Sequence, residues 1–152
     1  DRGKKINPTM MTDGIRKIRM EMPEVKVDAG IEQYRTSMRA ESYSIKRKIQ
    51  AGADGFFTQP FFDLRFLEIY AELLEGKEVY WGVSPVLSDR SVNDWETKNN
   101  VVFPKNFAPT LEWNIDFAQK VLEFVTRTNS NIYFMPIRTK LADYLSGILA
   151  KK

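Results

Sequence analysis

The stretch AGADGFFTQPFFD, residues 51–63, decides the fold of this chain. Its apolar run, residues 55–57, is bounded by glycine and is typical of a short buried strand. The run ends on Gln59, an amide, and Pro60, a residue that interrupts strand pairing. Apolar residues then resume, and Asp63 begins an amphipathic helix. The stretch therefore predicts a buried strand that finishes on a polar side chain and leads directly into a helix.

The same alternation of strand and helix runs along the whole chain. Apolar periodicity and capping residues predict six helices and four strands in the order α-β-α-β-α-β-α-α-β-α. Because parallel strands need helical crossovers, this alternation indicates a parallel α/β sheet. The strands are expected at residues 25–31, 55–59, 79–83 and 132–135, and the helices at 9–22, 38–51, 63–75, from Ser88 or Ser91 to Trp95, 110–126 and 140–149.

Three of the strands end in polar or proline-marked turns: Gln59-Pro60, Ser84-Pro85 and residues 136–138. In (βα)8 barrels the active site lies on the loops that follow the strands, which is where such groups would stand. The alternative is ordinary turn chemistry. Four parallel strands cannot close a barrel, which takes about 250 residues. The chain is therefore either an open doubly wound sheet or roughly the C-terminal four βα units of a TIM-type barrel.

The amino-acid composition excludes several classes of function. The 152 residues predict a single domain, 1–152, and the net charge of +3 is spread along helices, which gives no indication of a nucleic-acid partner. With no histidine and no cysteine, the chain cannot build a Ser-His-Asp triad, and no metal site is expected. No apolar run reaches the ~20 residues of a membrane span, so we expect no membrane association and a cytoplasmic location. The sequence starts at Asp1 and not at Met, as expected for a segment cut from a longer chain.

Several segments resemble the methylenetetrahydrofolate reductase family. The run IKRKIQAGADGFFTQPFFD is similar to the family's central motif, and WGVSPV, NNVVFP and IYFMPIRTKLADYL follow in the family's order. The resemblance covers about residues 25–149. It implies a (βα)8 barrel that binds FAD and reduces 5,10-methylenetetrahydrofolate to 5-methyltetrahydrofolate, with NAD(P)H as the expected reductant. Such an enzyme belongs to one-carbon metabolism and methionine biosynthesis.

The resemblance also implies cofactor-binding residues. Glu41, Ser44 and Lys48 match positions that contact the flavin nucleotide, and Asp1 matches an aspartate that approaches the flavin. The sequence spacing independently places Glu41, Ser44 and Lys48 on one helical face. Lys48 would neutralise a pyrophosphate oxygen, and Glu41 would accept hydroxyl hydrogen bonds. The alternative for this face is a solvated surface with a modest ion pair.

Three further matches concern the substrate. Gln59 corresponds to a glutamine that hydrogen-bonds the pterin, for which an amide offers donors and an acceptor. Trp95 corresponds to an aromatic residue that stacks on the folate or the nicotinamide, with a core tryptophan as the alternative. Arg138 corresponds to an arginine that holds a folate carboxylate, with a structural role as the alternative.

The chain departs from the family in the loop after the first strand, where GIEQYRTSMRAE replaces a histidine-containing stretch. Arg35 in this loop is a candidate for a phosphate-facing group. The family's general-acid glutamate and half of its flavin pocket match nothing in this chain, so the catalytic residue is unknown. We expect the isolated 152-residue chain to be inactive and to need a missing N-terminal half, a partner chain or a homo-oligomer.

Two other interpretations stay open. A divergent half-barrel could be a non-catalytic module that binds folate or a partner subunit. An unrelated doubly wound α/β domain would instead be an independently stable, closed monomer.

Overall fold

The computed structural model describes residues 9–137 and 139–150. The order of elements is the one predicted from the sequence. The elements are α1 (Thr9–Glu21), β1 (Asp28–Ile31), α2 (Met38–Ala51), β2 (Gly55–Pro60), α3 (Leu64–Leu73), β3 (Glu78–Val83), α4 (Asp89–Asn99), α5 (Leu111–Thr128), β4 (Asn131–Phe134) and α6 (Leu141–Ala150).

The helices begin and end where short-range chemistry places their caps. Ser37 accepts a hydrogen bond from the Ala40 amide at the start of α2, and Gly52 ends this helix with a left-handed φ of 110°. Asp63 caps α3 and Ser88 caps α4 in the same way. Ser88, and not Ser91, therefore starts α4, which continues four residues beyond Trp95 to Asn99.

The first strand is shorter than predicted, and the expected start at residue 25 is wrong. The Val27 amide donates to the Asp54 carboxylate at 2.8 Å, and the Asp54 amide donates to the Val27 carbonyl at 2.7 Å. Because the turn before β2 occupies both polar groups of Val27, this residue does not enter the strand ladder. β1 consequently contains only Asp28–Ile31.

All four strands are parallel and lie in the order β1-β2-β3-β4. Each strand pairs with the strand before it in sequence, whereas a doubly wound sheet reverses its strand order at a switch point. The described sheet contains no such reversal. The doubly wound alternative is therefore not the topology observed.

The main core fills the space between one face of the sheet and the helices. Phe56 and Trp81 from the strands pack with Leu67 of α3, Phe117 of α5 and Tyr144 of α6 in one buried cluster. Alternate strand residues point to the opposite face. A smaller cluster lies at the carboxyl ends of the strands and contains Phe62, Val86, Trp95 and Val101.

The opposite face of the sheet carries an aromatic row. The Phe57 and Tyr80 rings stack at 4.3 Å between centroids, and the Tyr133 ring lies 5.7 Å from Phe57. The Tyr133 hydroxyl donates to the Thr58 carbonyl. Phe57 nevertheless keeps 41% of its surface exposed, although its neighbour Phe56 is fully buried. The sheet is thus covered much more completely on one face than on the other.

Candidate functional site

A cavity of about 790 Å³ opens at the carboxyl ends of the strands. Gln59 at the end of β2 and Trp95 on α4 both line it. Ile137 and Thr139, which follow β4, also line it. In parallel α/β sheets this edge is where ligands bind, because the loops that leave the strands meet there.

Arg138 and Asp1 lie outside the described residues. The two sequence neighbours of Arg138, Ile137 and Thr139, stand at the cavity wall. The structure therefore brings Gln59, Trp95 and the segment around position 138 to one cavity, and these three come from different elements.

Gln59 stands at an irregularity of β2. The pairing of β2 with β3 shifts register between Phe57 and Pro60. At this point the Thr58 hydroxyl, in place of a backbone carbonyl, accepts a hydrogen bond from the Gly82 backbone amide at 3.0 Å. Among the described residues, the Gln59 side-chain amide has no hydrogen-bond partner, although it lines the cavity. Its donors and acceptor are therefore available to a ligand.

Trp95 is mainly a packing residue. Only 6% of its surface is exposed, and its ring meets Phe62 edge-to-face with centroids 5.4 Å apart. This burial matches the core alternative and leaves only a small part of the indole at the cavity wall. Trp95 can bound the cavity, but its ring face is not an open stacking platform.

The wall beside Trp95 is held by a buried amide. The Asn114 side chain on α5 accepts from the Val86 amide at 3.0 Å and donates to the Val86 carbonyl at 2.8 Å. Asn114 also donates to the Thr110 carbonyl at 2.8 Å. The segment after β3 is thus fixed to α5 by a side chain that satisfies both backbone groups of Val86.

Among the described residues, three cations, Arg90, Lys98 and Lys140, and two carboxylates, Asp94 and Asp143, stand at the cavity rim. The Lys98 ammonium lies 2.7 Å from an Asp94 oxygen. The remaining charges leave the rim with a positive excess, which suits a ligand that carries a carboxylate.

On the face of α2 predicted to hold a flavin, most of the predicted side chains form hydrogen bonds within the chain. Glu41 is buried, with one carboxylate oxygen accepting from the Glu32 amide and the other from the Thr36 hydroxyl, both at 3.3 Å. Lys48 is also buried and donates to the Gly30 carbonyl at 2.6 Å. Both side chains therefore fasten α2 to β1 and its following loop.

Of the three predicted nucleotide contacts, only Ser44 has a side chain without a hydrogen bond to another described residue, and it is half-buried. A pyrophosphate needs accessible cationic or N–H donors, and the Lys48 ammonium is covered and engaged. The contacts of Glu41 and Lys48 thus fit helix-to-strand packing and do not fit a flavin site in this arrangement. Arg35 forms an exposed ion pair with Glu32 at 3.3 Å and lines no described cavity.

Two residues near the site were missed from the sequence. The Gln33 side chain is buried and bonds both backbone groups of Gln59, and the Tyr34 hydroxyl donates to the Pro60 carbonyl at 2.6 Å. Both belong to the loop that departs from the family pattern. The sequence shows that this loop contains side chains able to form hydrogen bonds. It does not show their partners, which lie 26 residues away.

Within residues 9–137 and 139–150, no group of three or more acidic side chains could hold a metal ion. No helix in the same part of the chain is long and apolar enough to cross a membrane.

No protein-family model matches the chain, and no curated protein is significantly similar to it.

Proposed function

We propose that this chain supplies the C-terminal half of a (βα)8 barrel of the methylenetetrahydrofolate reductase type and that its cavity binds a reduced folate. The observation that carries this proposal is the cavity itself. Gln59, Trp95 and the neighbours of Arg138 meet there, although they are 36 or more positions apart in sequence. These are the positions that the sequence resemblance assigns to the substrate.

The sheet supports the barrel. Four consecutive parallel strands, each beside its predecessor, are half of the eight-strand arrangement. In a complete barrel the face that carries Phe57, Tyr80 and Tyr133 would be the interior, which is filled by side chains. Four further strands, from an upstream segment, a partner chain or another copy, would cover the exposed part of Phe57.

The proposed reaction is reduction of 5,10-methylenetetrahydrofolate to 5-methyltetrahydrofolate. The hydride would come from FAD reduced by NAD(P)H, and the strands that complete the barrel would have to hold this flavin, because Glu41 and Lys48 are engaged within this chain. The part of this chain is to bind and orient the folate. The Gln59 amide would pair with the pterin edge, Trp95 would close the cavity wall, and the cationic rim would hold the glutamate carboxylates.

A non-catalytic binding module is the second candidate. The observation that favours it is the internal use of Glu41 and Lys48, which leaves the α2 face without the nucleotide contacts of a flavoenzyme. Such a module would bind a folate in the same cavity and transfer no hydride.

Folate binding is tested on the 152-residue chain by calorimetric titration with 5-methyltetrahydrofolate. We expect Gln59→Leu to weaken binding about tenfold, because a hydrogen bond to a polar heterocycle is worth about 1–1.5 kcal/mol. Gln50→Leu, at an exposed position of α2, is the matched control and should leave the affinity unchanged. Absence of binding to the wild-type chain would contradict the proposed function.

Catalysis is tested in two steps. The isolated chain should show no flavin-dependent folate reduction, because no residue in it matches the family's general acid; appreciable turnover would contradict the half-barrel. When the completing strands are present, a bound yellow flavin that NAD(P)H bleaches would favour the enzyme. A colourless protein that still binds folate would favour the module.

A further inference from the structure

We infer that Gln33, in the loop between β1 and α2, is a positioning residue. It fixes the backbone at the end of β2 and thereby holds the Gln59 side-chain amide at the cavity wall. Tyr34 assists at the next residue of the strand. The part of this inference that concerns a ligand rests on the proposed function, whereas the part that concerns the geometry of β2 does not.

The contact between Gln33 and Gln59 has two hydrogen bonds. The Gln33 side-chain oxygen accepts a hydrogen bond from the Gln59 backbone amide at 3.1 Å. The Gln33 side-chain nitrogen donates one to the Gln59 backbone carbonyl at 2.6 Å. Gln33 is only 4% exposed. One buried side chain thus satisfies both backbone groups of one residue, as a neighbouring strand would do.

The reason Gln59 needs this support is its place in the sheet. On one side, the pairing of β1 with β2 ends at Ile31 and Thr58. On the other side, the register shift passes from Phe57 to Pro60. Gln59 therefore has no residue opposite it in either ladder, and without Gln33 its backbone orientation would not be fixed by the sheet.

Tyr34 holds the following residue. Its hydroxyl donates to the Pro60 carbonyl at 2.6 Å, and its ring lies 5.9 Å from the Phe66 ring of α3. Burial raises the pKa of Tyr34, so the hydroxyl stays a neutral donor throughout the physiological range. Two successive backbone positions at the end of β2 are thus tied to the same loop.

The consequence is a pre-oriented ligand group. The Gln59 backbone is held from one side, while its side-chain amide lines the cavity without a hydrogen bond to a described residue. A polar group that is fixed before a ligand arrives costs less ordering entropy on binding. Gln33 therefore contributes to affinity without itself lining the cavity.

The geometric part is tested without a ligand, by hydrogen exchange of the Gln59 backbone amide measured by NMR. Gln33→Leu keeps the buried volume approximately and removes both hydrogen bonds, so exchange at Gln59 should accelerate at least tenfold. The matched control Gln50→Leu should leave it unchanged. Unchanged exchange in Gln33→Leu would overturn the inference.

If Gln33→Leu fails to fold, Gln33→Met replaces it. This variant keeps an unbranched side chain of similar length and lacks both the acceptor for the Gln59 backbone amide and the donor to the Gln59 carbonyl. Exchange at Gln59 should again be faster than in the wild-type chain, and no acceleration would overturn the inference.

The functional part is tested by a double-mutant cycle on 5-methyltetrahydrofolate affinity. Gln33→Leu should weaken binding about tenfold in the wild-type chain and less than about twofold in a Gln59→Ala background. Equal losses in both backgrounds would mean that Gln33 acts through general stability, which overturns the positioning role. If the wild-type chain does not bind this folate, the proposed function fails, and the hydrogen-exchange result alone decides the role of Gln33.

Discussion

At the scale of single residues, two buried phenols have hydroxyl groups that find no partner among the described residues. Within the described part of the chain, the Tyr70 and Tyr144 hydroxyls are buried and accept or donate no hydrogen bond. Tyr70 is fully buried in the main core, with its ring edge-to-face against Phe61 and Phe66. Burial raises the pKa of Tyr70 to about 12, since the charged phenolate cannot be solvated there.

We predict that Tyr70→Phe raises the free energy of unfolding by about 1 kcal/mol, because it removes a desolvated hydroxyl and keeps the ring contacts. Urea denaturation followed by circular dichroism measures the change. Tyr43→Phe, at an exposed position of α2, is the control and should shift stability by less than about 0.5 kcal/mol. A loss of stability in Tyr70→Phe would show that the hydroxyl is hydrogen-bonded.

At the scale of elements, α5 and α6 pack closely against each other. A β-carbon built on Gly147 would stand 2.2 Å from the terminal carbon of Ile115. The Gln119 side chain donates to the Gly147 and Ile148 carbonyls at 3.2 and 3.3 Å. Glycine at position 147 therefore allows α6 to approach the Ile115 side chain closely.

We predict that Gly147→Ala lowers the free energy of unfolding by about 1 kcal/mol. The overlap with Ile115 costs about 1–3 kcal/mol, which outweighs the gain of about 1 kcal/mol in helix propensity. In an Ile115→Ala background, which lacks both carbons that the new β-carbon would approach to 2.2 and 3.0 Å, the same change should become stabilising. Urea midpoints of the four chains decide whether the sign reverses.

Gly14→Ala is the control for the propensity term. Gly14 lies in α1, and a β-carbon there would meet no atom within 4 Å. We expect this substitution to stabilise the chain by about 0.5–1 kcal/mol. A stabilising Gly147→Ala in the wild-type background would contradict the close contact between α5 and α6.

The ends of the helices and strands show which sequence signals are enough to predict an element boundary. The predicted helix start at Asp63 is confirmed, and of the two candidates for α4 Ser88 is the cap, because a cap depends on atoms within a few residues of itself. The start of β1 was predicted wrongly, because the polar groups of Val27 bond to Asp54 from a turn 27 positions later. A strand boundary depends on such distant partners, and apolar alternation alone does not reveal them.

At the scale of the whole molecule, one face of the sheet is covered more completely than the other. Phe56 and Phe57 are adjacent in sequence and lie on opposite faces of β2. The cost of removing each ring therefore measures how completely its face is covered.

We predict that Phe56→Ala lowers the free energy of unfolding by about 3–5 kcal/mol, because it empties a fully buried site. Phe57→Ala should cost only about 1 kcal/mol, since the ring is 41% exposed and loses mainly its stacking on Tyr80. Urea denaturation of the 152-residue chain provides both values. Equal costs would indicate that another surface, such as a second copy, already covers Phe57.

Stability should also fall at alkaline pH. Burial raises the pKa of Tyr34, Tyr70, Tyr133 and Tyr144 above the ordinary value of 10.0. Because a raised folded-state pKa favours the neutral phenol, the associated stability is complete below pH 10 and is lost as pH rises towards the folded pKa, which is about 12 for Tyr70.

We therefore predict a urea midpoint that is constant from neutral pH to about pH 10 and falls between pH 10 and 12. Tyrosinate absorbance and circular dichroism should change together over that interval, because these four phenols ionise on unfolding. In Tyr70→Phe the fall should be shallower. Tyrosinate absorbance that develops fully while the chain stays folded would contradict this prediction.

The sequence by itself determined the order of the elements, their caps and the placement of Gln59 at the end of a buried strand. These features follow from apolar periodicity and capping, which act over a few residues. Only the tertiary structure decided the sequential strand order, the internal use of Glu41 and Lys48, the burial of Trp95 and the support of Gln59 by Gln33. Each of these depends on which distant groups a side chain meets after the chain has folded, and a buried polar group bonds the partner that packing brings to it.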